Sequence, residues 1–453
     1  MGFLSTTNDQ SLYCSPVLRV FLPYSELSIP SAVMRRAKKV KLYSELMANT
    51  FKYIRWSGHW FPTDDLDANS PKFLSFEFFR SLILTLTIPL QVIPCIIDLV
   101  LKIPDMPKVI MNAISTLYGI QTFCRVIFIG VMRKDIWNIF KEFDNFQVPA
   151  SFRLLRDQNA ASKAFKTSNT LFLGIFFVAQ FTGCLFTVAP FVMSYEARIQ
   201  KLKLLALNGT VPHVLVYEAW YPFDISRFPV YQLTILFQSF CGCVWINMTS
   251  TSDAIFLAII IREAEEFNVL HNMLVILSNV KTHRVKERSA QTIRNSLVRH
   301  SSCTEWPEDP NILLISWIEH HQLVLRILVE IRKTFSVFVF IVVGCNALSL
   351  VLLAYIGATI KDVTALLSMI SFLFVVTAQL FSFSWYTVKL TTRAEEMSQE
   401  LLRINWWEAP VSYKMSSKFV SLRALKTVSI SGMGYFDLNL EMFLSVLHRI
   451  SWS

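Results

Sequence analysis

Apolar residues run without interruption for membrane-crossing lengths in seven places along this chain. A window of about 19 residues finds them near 76–101, 108–131, 169–193, 231–261, 336–358, 363–388 and, more weakly, 428–452. A helix needs about 20 apolar residues to cross ~30 Å of hydrocarbon, so the pattern predicts seven transmembrane helices and an all-α fold. Three segments between the spans keep an apolar repeat of helical period. DIWNIFKEFDNF (135–146) places Ile136, Ile139, Phe140 and Phe143 on one face. NILLISWIEHHQLVLRILVEIRKTF (311–335) runs straight into the fifth span, and RAEEMSQELLRINWW (393–407) continues the sixth. These spans extend as helices beyond the bilayer, and their apolar stripes need partners, which predicts a packed cytosolic platform. The stretch 281–309, with KTHRVKERS and SSCTEWPEDP, lacks such a stripe and is predicted as a loop. Four parts follow: a cytosolic segment 1–72, spans one to four over 73–260 with an outer loop 194–230, a cytosolic loop and helix 261–335, and spans five to seven over 336–453.

Composition agrees with a membrane protein. Of 453 residues, 53% are apolar, 13% aromatic and 17% charged, and mean hydropathy is +0.43. The net charge of +10 is informative through its placement rather than its size. The N-terminal segment and the loops 132–168, 262–335 and 389–427 hold 33 of the Lys and Arg residues, whereas 101–108, 194–230 and 359–362 hold 7. Positive residues stay on the cytosolic side, so the N-terminus is predicted inside and the C-terminus outside, the reverse of a G-protein-coupled receptor. No Asp-Arg-Tyr follows the third span and no Asn-Pro-x-x-Tyr occurs in the seventh. The sequon at Asn208 falls in the outer loop, where glycosylation is possible; the one at Asn247 lies inside a span. About 70 mostly polar residues precede the first span, and no signal peptide is predicted. The eight cysteines have neither zinc-ligand spacing nor the pattern of a disulfide framework.

Catalytic signatures are missing: there is no HExxH, no GxSxG, no glycine-rich phosphate loop and no basic tract interleaved with stacking aromatics. Neither an enzyme nor a nucleic-acid binder is predicted, and no metal or cofactor is implied. His320-His321 reads as a polar helix face. The charges inside spans are a stronger lead, because they are costly in hydrocarbon. Asp253 ends the polar run NMTSTSD in the long fourth span, and Arg125 lies in the second. Either they line a polar cavity between helices, or Arg125 snorkels and Asp253 sits beyond the bilayer. The outer halves of the second, third, fourth and sixth spans supply Ile114, Tyr118, Phe181, Thr182, Phe186, Leu236, Phe240, Thr364, Ser368 and Phe372. Helix packing accounts for any one of these, but as a set they suit a small neutral molecule held by shape and one or two hydrogen bonds. The outer loop ends in EAWYPFDISRFPVY (218–231). Pro222 and Pro229 disfavour a continuous helix there. Trp220, Tyr221 and Phe223 have rings suited to the membrane interface or a pocket rim, and Asp224 and Arg227 are spaced to pair across a turn.

The C-terminal stretch carries a family resemblance. A helix leaving the sixth span, a Trp turn (Trp406-Trp407-Glu408), a basic-apolar helix near 412–427, a glycine break (Gly432, Gly434) and a span opening Phe436-x-Leu438-x-Leu440-x-x-Phe443 resemble the C-terminal signature of insect odorant receptors. The Tyr-Pro-Phe-Asp run at Tyr221 to Asp224 is similar to that family's outer loop. The Thr-Tyr…Gln-Phe ending of gustatory receptors is absent, and the loop before the fifth span is shorter than in the family's co-receptor. The resemblance implies an odour-tuning subunit that forms a hetero-tetrameric, odorant-gated, non-selective cation channel with the co-receptor, in the plasma membrane of a sensory dendrite. It implies a small volatile organic ligand near Tyr118, Phe181, Thr182, Phe186, Trp220, Tyr221, Leu236, Phe240, Ser368 and Phe372. A pore lined by Leu440, Phe443, Leu444 and Leu447, membrane lipid around the bundle, and no cofactor complete what it implies. Family members continue past the position of Ser453, so the resemblance implies a shortened contribution to that pore. A G-protein-coupled or gustatory-type chemoreceptor is the alternative, and the charge asymmetry opposes it; the lack of an internal repeat opposes a transporter.

Overall fold

The computed structural model describes residues 43–62, 75–103, 106–144, 160–204, 215–225, 229–294, 310–359, 363–403, 411–426 and 428–451. Nine helices lie among them: α1 Tyr43–Trp56, α2 Phe76–Leu101, α3 Met106–Asp144, α4 Ala160–Leu204, α5 Val230–Arg294, α6 Pro310–Thr359, α7 Val363–Arg403, α8 Val411–Ala424 and α9 Leu440–Ser451. Six of them, α2 to α7, are long and apolar enough to cross a membrane. Residues 63–74, with Trp406, Trp407, Arg227 and the Asn208 sequon, lie outside the described residues.

The helices outrun the bilayer, as the cytosolic stripes require. At 1.5 Å per residue the 65 residues of α5 span close to 100 Å, about three times the hydrocarbon thickness. Every residue from Met248 to Phe267 is buried, polar and charged side chains included, around an apolar stretch Ala254–Ile261, so α5 is the post on which the others pack. Phe256 meets Phe335, Phe338 and Phe383, with ring centroids 5.4, 5.7 and 4.7 Å away. The main core continues into the extensions of α3, α6 and α7 through Ile136, Phe140, Trp317, Ile327, Met397 and Leu401. By the charge bias this is the cytosolic end, and the platform is a packed body.

Four expectations change. First, α5 continues through 281–294, where a loop was predicted. Lys, Arg and Glu are good helix formers, and extending an existing helix avoids the nucleation cost. Second, His320 and His321 are buried rather than on a polar face. The surface of α6 that meets α5 carries both: His320 faces Glu266 at 3.2 Å, and His321 stacks on Trp317, leaving Glu319 outside.

Third, the N-terminal segment, in which no helix was predicted, forms one that packs on the bundle. The amphipathic α1 buries Tyr43, Met47, Phe51 and Ile54, and the turn after it reaches the middle of α5. Tyr53 Oη donates to Asn247 Oδ1 at 2.9 Å, Ser57 Oγ lies 3.1 Å from Thr251 Oγ1, and His59 Nε2 lies 2.8 Å from the Met248 carbonyl. A carbonyl only accepts, so Nε2 carries a proton and donates it. Burial pushes the His59 pKa down to about 4 from its ordinary 6.5, and the nearby Arg125 adds to this. An unfolded chain binds a proton at His59 that the folded one refuses in this window. Stability is therefore expected to fall as pH drops from about 6.5 towards 4, by up to ~1.4 kcal/mol per pH unit. Thermal unfolding of detergent-purified protein across pH 7 to 5 checks this; His59→Gln should flatten the slope, and an unchanged slope would refute the assignment.

Fourth, the weak segment 428–452 does not make a membrane-length helix among the described residues. Its first part forms a two-stranded antiparallel hairpin, β1 Ser431–Gly432 and β2 Phe436–Asp437, in the register Ser431↔Asp437 and Gly432↔Phe436. The turn needs left-handed backbone at Met433 (φ 50) and Gly434 (φ 78), which Gly434 supplies without strain. The hairpin docks on α6: Ser336 Oγ accepts the Met433 N–H at 2.8 Å, and Phe340 lies against Tyr435. The 12 residues of α9 then rise only ~18 Å.

Candidate ligand site and the polar bridge beneath it

The outer half of the bundle gathers aromatic rings from several helices. Tyr118 of α3 meets Phe372 of α7 edge-on at 5.5 Å, and Trp245 of α5 at 6.4 Å. Tyr217 of the outer loop stacks on Trp245 at 5.4 Å. Small apolar groups, including Ile88, Val92 and Val244 on one side and Ile114, Leu353 and Met369 on the other, wall this cluster. Gly119 lets the walls close: a Cβ there would lie 2.5 Å from Val92 and 2.9 Å from the Trp245 ring.

The outer loop is bolted over these rings by one buried amide. Gln238 Oε1 accepts the N–H groups of Val216 and Tyr217 at 2.9 and 3.1 Å, while its Nε2 donates to the Tyr217 carbonyl and the Tyr221 hydroxyl at 2.9 and 3.1 Å. Tyr221 in turn donates to Gln91 Oε1 at 2.9 Å. The Trp220 N–H donates to the Pro94 carbonyl at 3.1 Å, within a helix whose Pro89 and Pro94 interrupt the regular backbone pairing. Lys102 bridges Asp98 and Glu218 at the rim. Burial opposes the Lys102 charge, but the two carboxylates outweigh it and hold its pKa above the ordinary value.

Of the residues selected from the sequence, Ile114, Tyr118, Phe372 and Tyr221 belong to this assembly. Thr182 is buried, but its hydroxyl donates to the Val178 carbonyl of its own helix at 3.1 Å. Phe181, Leu236 and Phe240 point out of the bundle, 64%, 68% and 51% exposed. Phe181 is adjacent to Thr182, and neighbours on a helix cannot share a face. On α5 the inward stripe is Thr234, Ile235, Gln238, Cys241 and Trp245, which leaves Leu236 and Phe240 outside. Trp220 is also exposed. The side chains of Phe186, Thr364 and Ser368 lie outside the described residues. In α9, Phe443 packs on Phe381 at 5.6 Å and Leu447 leans on the core, while Leu440 is half-buried. Phe443 and Leu447 face their own chain; Leu444 is 59% exposed, beside the exposed Glu441 and Ser445.

The charges inside the spans find each other. Arg125 Nη1 lies 2.6 Å from Asp253 Oδ1, with both side chains buried. Asp253 Oδ2 accepts from Gln379 Nε2, Gln379 Oε1 accepts from Asn346 at 2.9 Å, and Asn346 Oδ1 accepts from Gln121 at 3.0 Å. One polar chain thus links α3, α5, α7 and α6. It lies two helical turns below the rings on three shared helices, since Tyr118 and Arg125, Trp245 and Asp253, and Phe372 and Gln379 are seven, eight and seven residues apart. The pairing excludes snorkelling for Arg125 and places Asp253 inside the bundle beside it. Gln238, Trp245 and the amide chain were missed, although an uncharged polar side chain inside an apolar span was a usable signal.

Six membrane-length helices among the described residues, with rings and a loop over a buried polar chain, make a multi-span helical membrane-protein architecture. The family model described as 7tm Odorant receptor matches residues 105–450, and the chain belongs to that family. Curated relatives include the odorant receptor coreceptors of Harpegnathos saltator, 20% identical over 92% of this chain and 98% of the relative, and of Ooceraea biroi, 19% identical with the same coverage. That of Drosophila melanogaster is 26% identical over 30% of this chain and 28% of its own. Among solved structures, the insect olfactory receptor OR5 from Machilis hrabei in complex with eugenol is similar, with TM-score 0.68 and 15% identity over 90% of this chain and 97% of that one. The same receptor without ligand matches with TM-score 0.68 over 95% of its length. The family is one of receptors rather than enzymes.

Proposed function

We propose that this chain is the odorant-binding subunit of a heteromeric, odorant-gated, non-selective cation channel in the plasma membrane of sensory dendrites, assembled with a co-receptor. The observation that carries the reading is the ring cluster of Tyr118, Trp245, Phe372 and Tyr217 under a pinned loop. It offers an apolar, aromatic site for a small volatile organic molecule. A ligand opens the channel only by binding one conformation better than another. The shared helices supply the route, because a shift of α3, α5 or α7 at the rings displaces the bridge below. The solved relative carries eugenol, and the same class of small aromatic or aliphatic volatile is proposed here. Identity of about one fifth to the coreceptors is kinship within the family and does not carry their role over. Tuning is proposed instead, with a sugar on Asn208 outside, lipid around the outward rings, and the face of Glu441 and Leu444 towards a shared pore.

The test is co-expression with a co-receptor and recording from excised patches without nucleotide. Odorant-evoked cation current is expected under those conditions. Current that requires GTP would overturn the channel reading.

A further inference from the structure

One donor in the ring cluster is left over. Trp245 is completely buried, yet its Nε1 has no hydrogen-bond partner among the described residues. Trp317, buried to the same degree, donates its Nε1 to the Leu270 carbonyl at 2.9 Å. Nearby polar side chains are already engaged: the Thr249 hydroxyl with Thr122 at 3.0 Å, Gln238 with the outer loop, and Asn247 with Tyr53 and the Cys243 carbonyl. Tyr217, Tyr118, Val92 and the bare Gly119 also lie against the indole, and neither tyrosine hydroxyl takes the Nε1 proton. A buried N–H without an acceptor is destabilising, and such groups in folded proteins call for an explanation. Lipid tails have no acceptor to offer.

On the reading just proposed, we infer that the ligand brings the acceptor: a neutral, mostly apolar volatile with one carbonyl oxygen, a ketone, aldehyde or ester, that takes the Trp245 N–H. The indole supplies one neutral donor and no charge. It can hold a carbonyl oxygen, but it cannot compensate a carboxylate in an apolar pocket. The rings fix the apolar body of the ligand, and the single hydrogen bond fixes its orientation. Hydrocarbons of the same shape fill the walls but leave the donor unpaired, which makes Trp245 a specificity-determining residue.

The test compares methyl ketones with the 2-methyl-1-alkenes in which the carbonyl oxygen is replaced by a methylene group. Concentration–response curves are recorded for the parent chain and for Trp245→Phe, each co-expressed with a co-receptor. The parent is expected to favour the ketone by about tenfold in potency. Trp245→Phe, which keeps an aromatic ring but no N–H, is expected to lower ketone potency about tenfold more than alkene potency. Equal potency of ketone and alkene on the parent, or an equal shift of both in the variant, overturns the inference and leaves the proposed function standing. Silence to every volatile with normal surface delivery overturns the proposed function and this inference with it. Should Trp245→Phe not reach the surface, the ketone-to-alkene ratio of the parent decides.

Discussion

Replacing Arg125 by methionine is expected to destabilise the folded chain by about 3–5 kcal/mol, because it leaves Asp253 buried and uncompensated in the bundle. Asp253→Asn leaves the converse problem, a buried guanidinium without a counter-charge, and should cost a similar amount. The double variant Arg125→Met with Asp253→Asn removes both charges and keeps an amide for Gln379 to meet. It should recover most of the loss, since a buried ion pair replaced as a unit is often close to neutral. Thermal midpoints of detergent-solubilised protein and the fraction delivered to the cell surface give the four corners of the cycle. Additive losses in the double variant would show that the two side chains do not act as a pair. The cycle also separates folding from coupling. If the bridge transmits the ligand's effect, the rescued double variant should bind ligand while opening less efficiently than the parent.

The sequence carried the spans and not their rotations. Hydropathy marks where an apolar run begins and ends, which is why the six membrane-length helices and the extensions that reach Asp144, start at Pro310 and reach Arg403 were legible. Which side of a span faces its neighbours depends on packing. Phe181 and Thr182, or Leu236 and Gln238, are equally good outer-half residues until the neighbouring helices select one of each. The amphipathic α1 was missed because a short half-apolar segment in a polar region looks like linker, and its partner surface lies some two hundred residues away on α5. The terminal hairpin was half legible. Gly432 and Gly434 marked a break, but the pairing of Ser431 with Asp437 is set by docking on Ser336 and Phe340. Asp253 and Arg125 were each visible as anomalies, and only the fold brings the two together.

Gln238→Leu is expected to release the outer loop while leaving the bundle folded. The wild-type amide makes four hydrogen bonds, three of them to loop backbone, and leucine makes none. The N–H groups of Val216 and Tyr217 are then left to water, at about 1–3 kcal/mol for each group that stays buried, and moving the loop outward is the cheaper outcome. Hydrogen exchange of peptides covering 215–225 should lose protection, with α5 and α6 unchanged. Odorant potency should fall about tenfold, because Tyr217 no longer stacks on Trp245 and the site must order its roof when it binds. Tyr221→Phe removes the hydroxyl that links Gln238 to Gln91 and should have a smaller effect of the same sign. Trp220→Ala tests the contrast, since that ring points outward and its backbone N–H, not its side chain, holds Pro94. Loss of potency in Trp220→Ala greater than in Gln238→Leu would assign the roof to the exposed ring rather than to the pinned backbone. Unchanged exchange in Gln238→Leu would mean that the salt bridge between Lys102 and Glu218 is enough to hold the loop, although that bridge lies at the wet rim, where ion pairs contribute least.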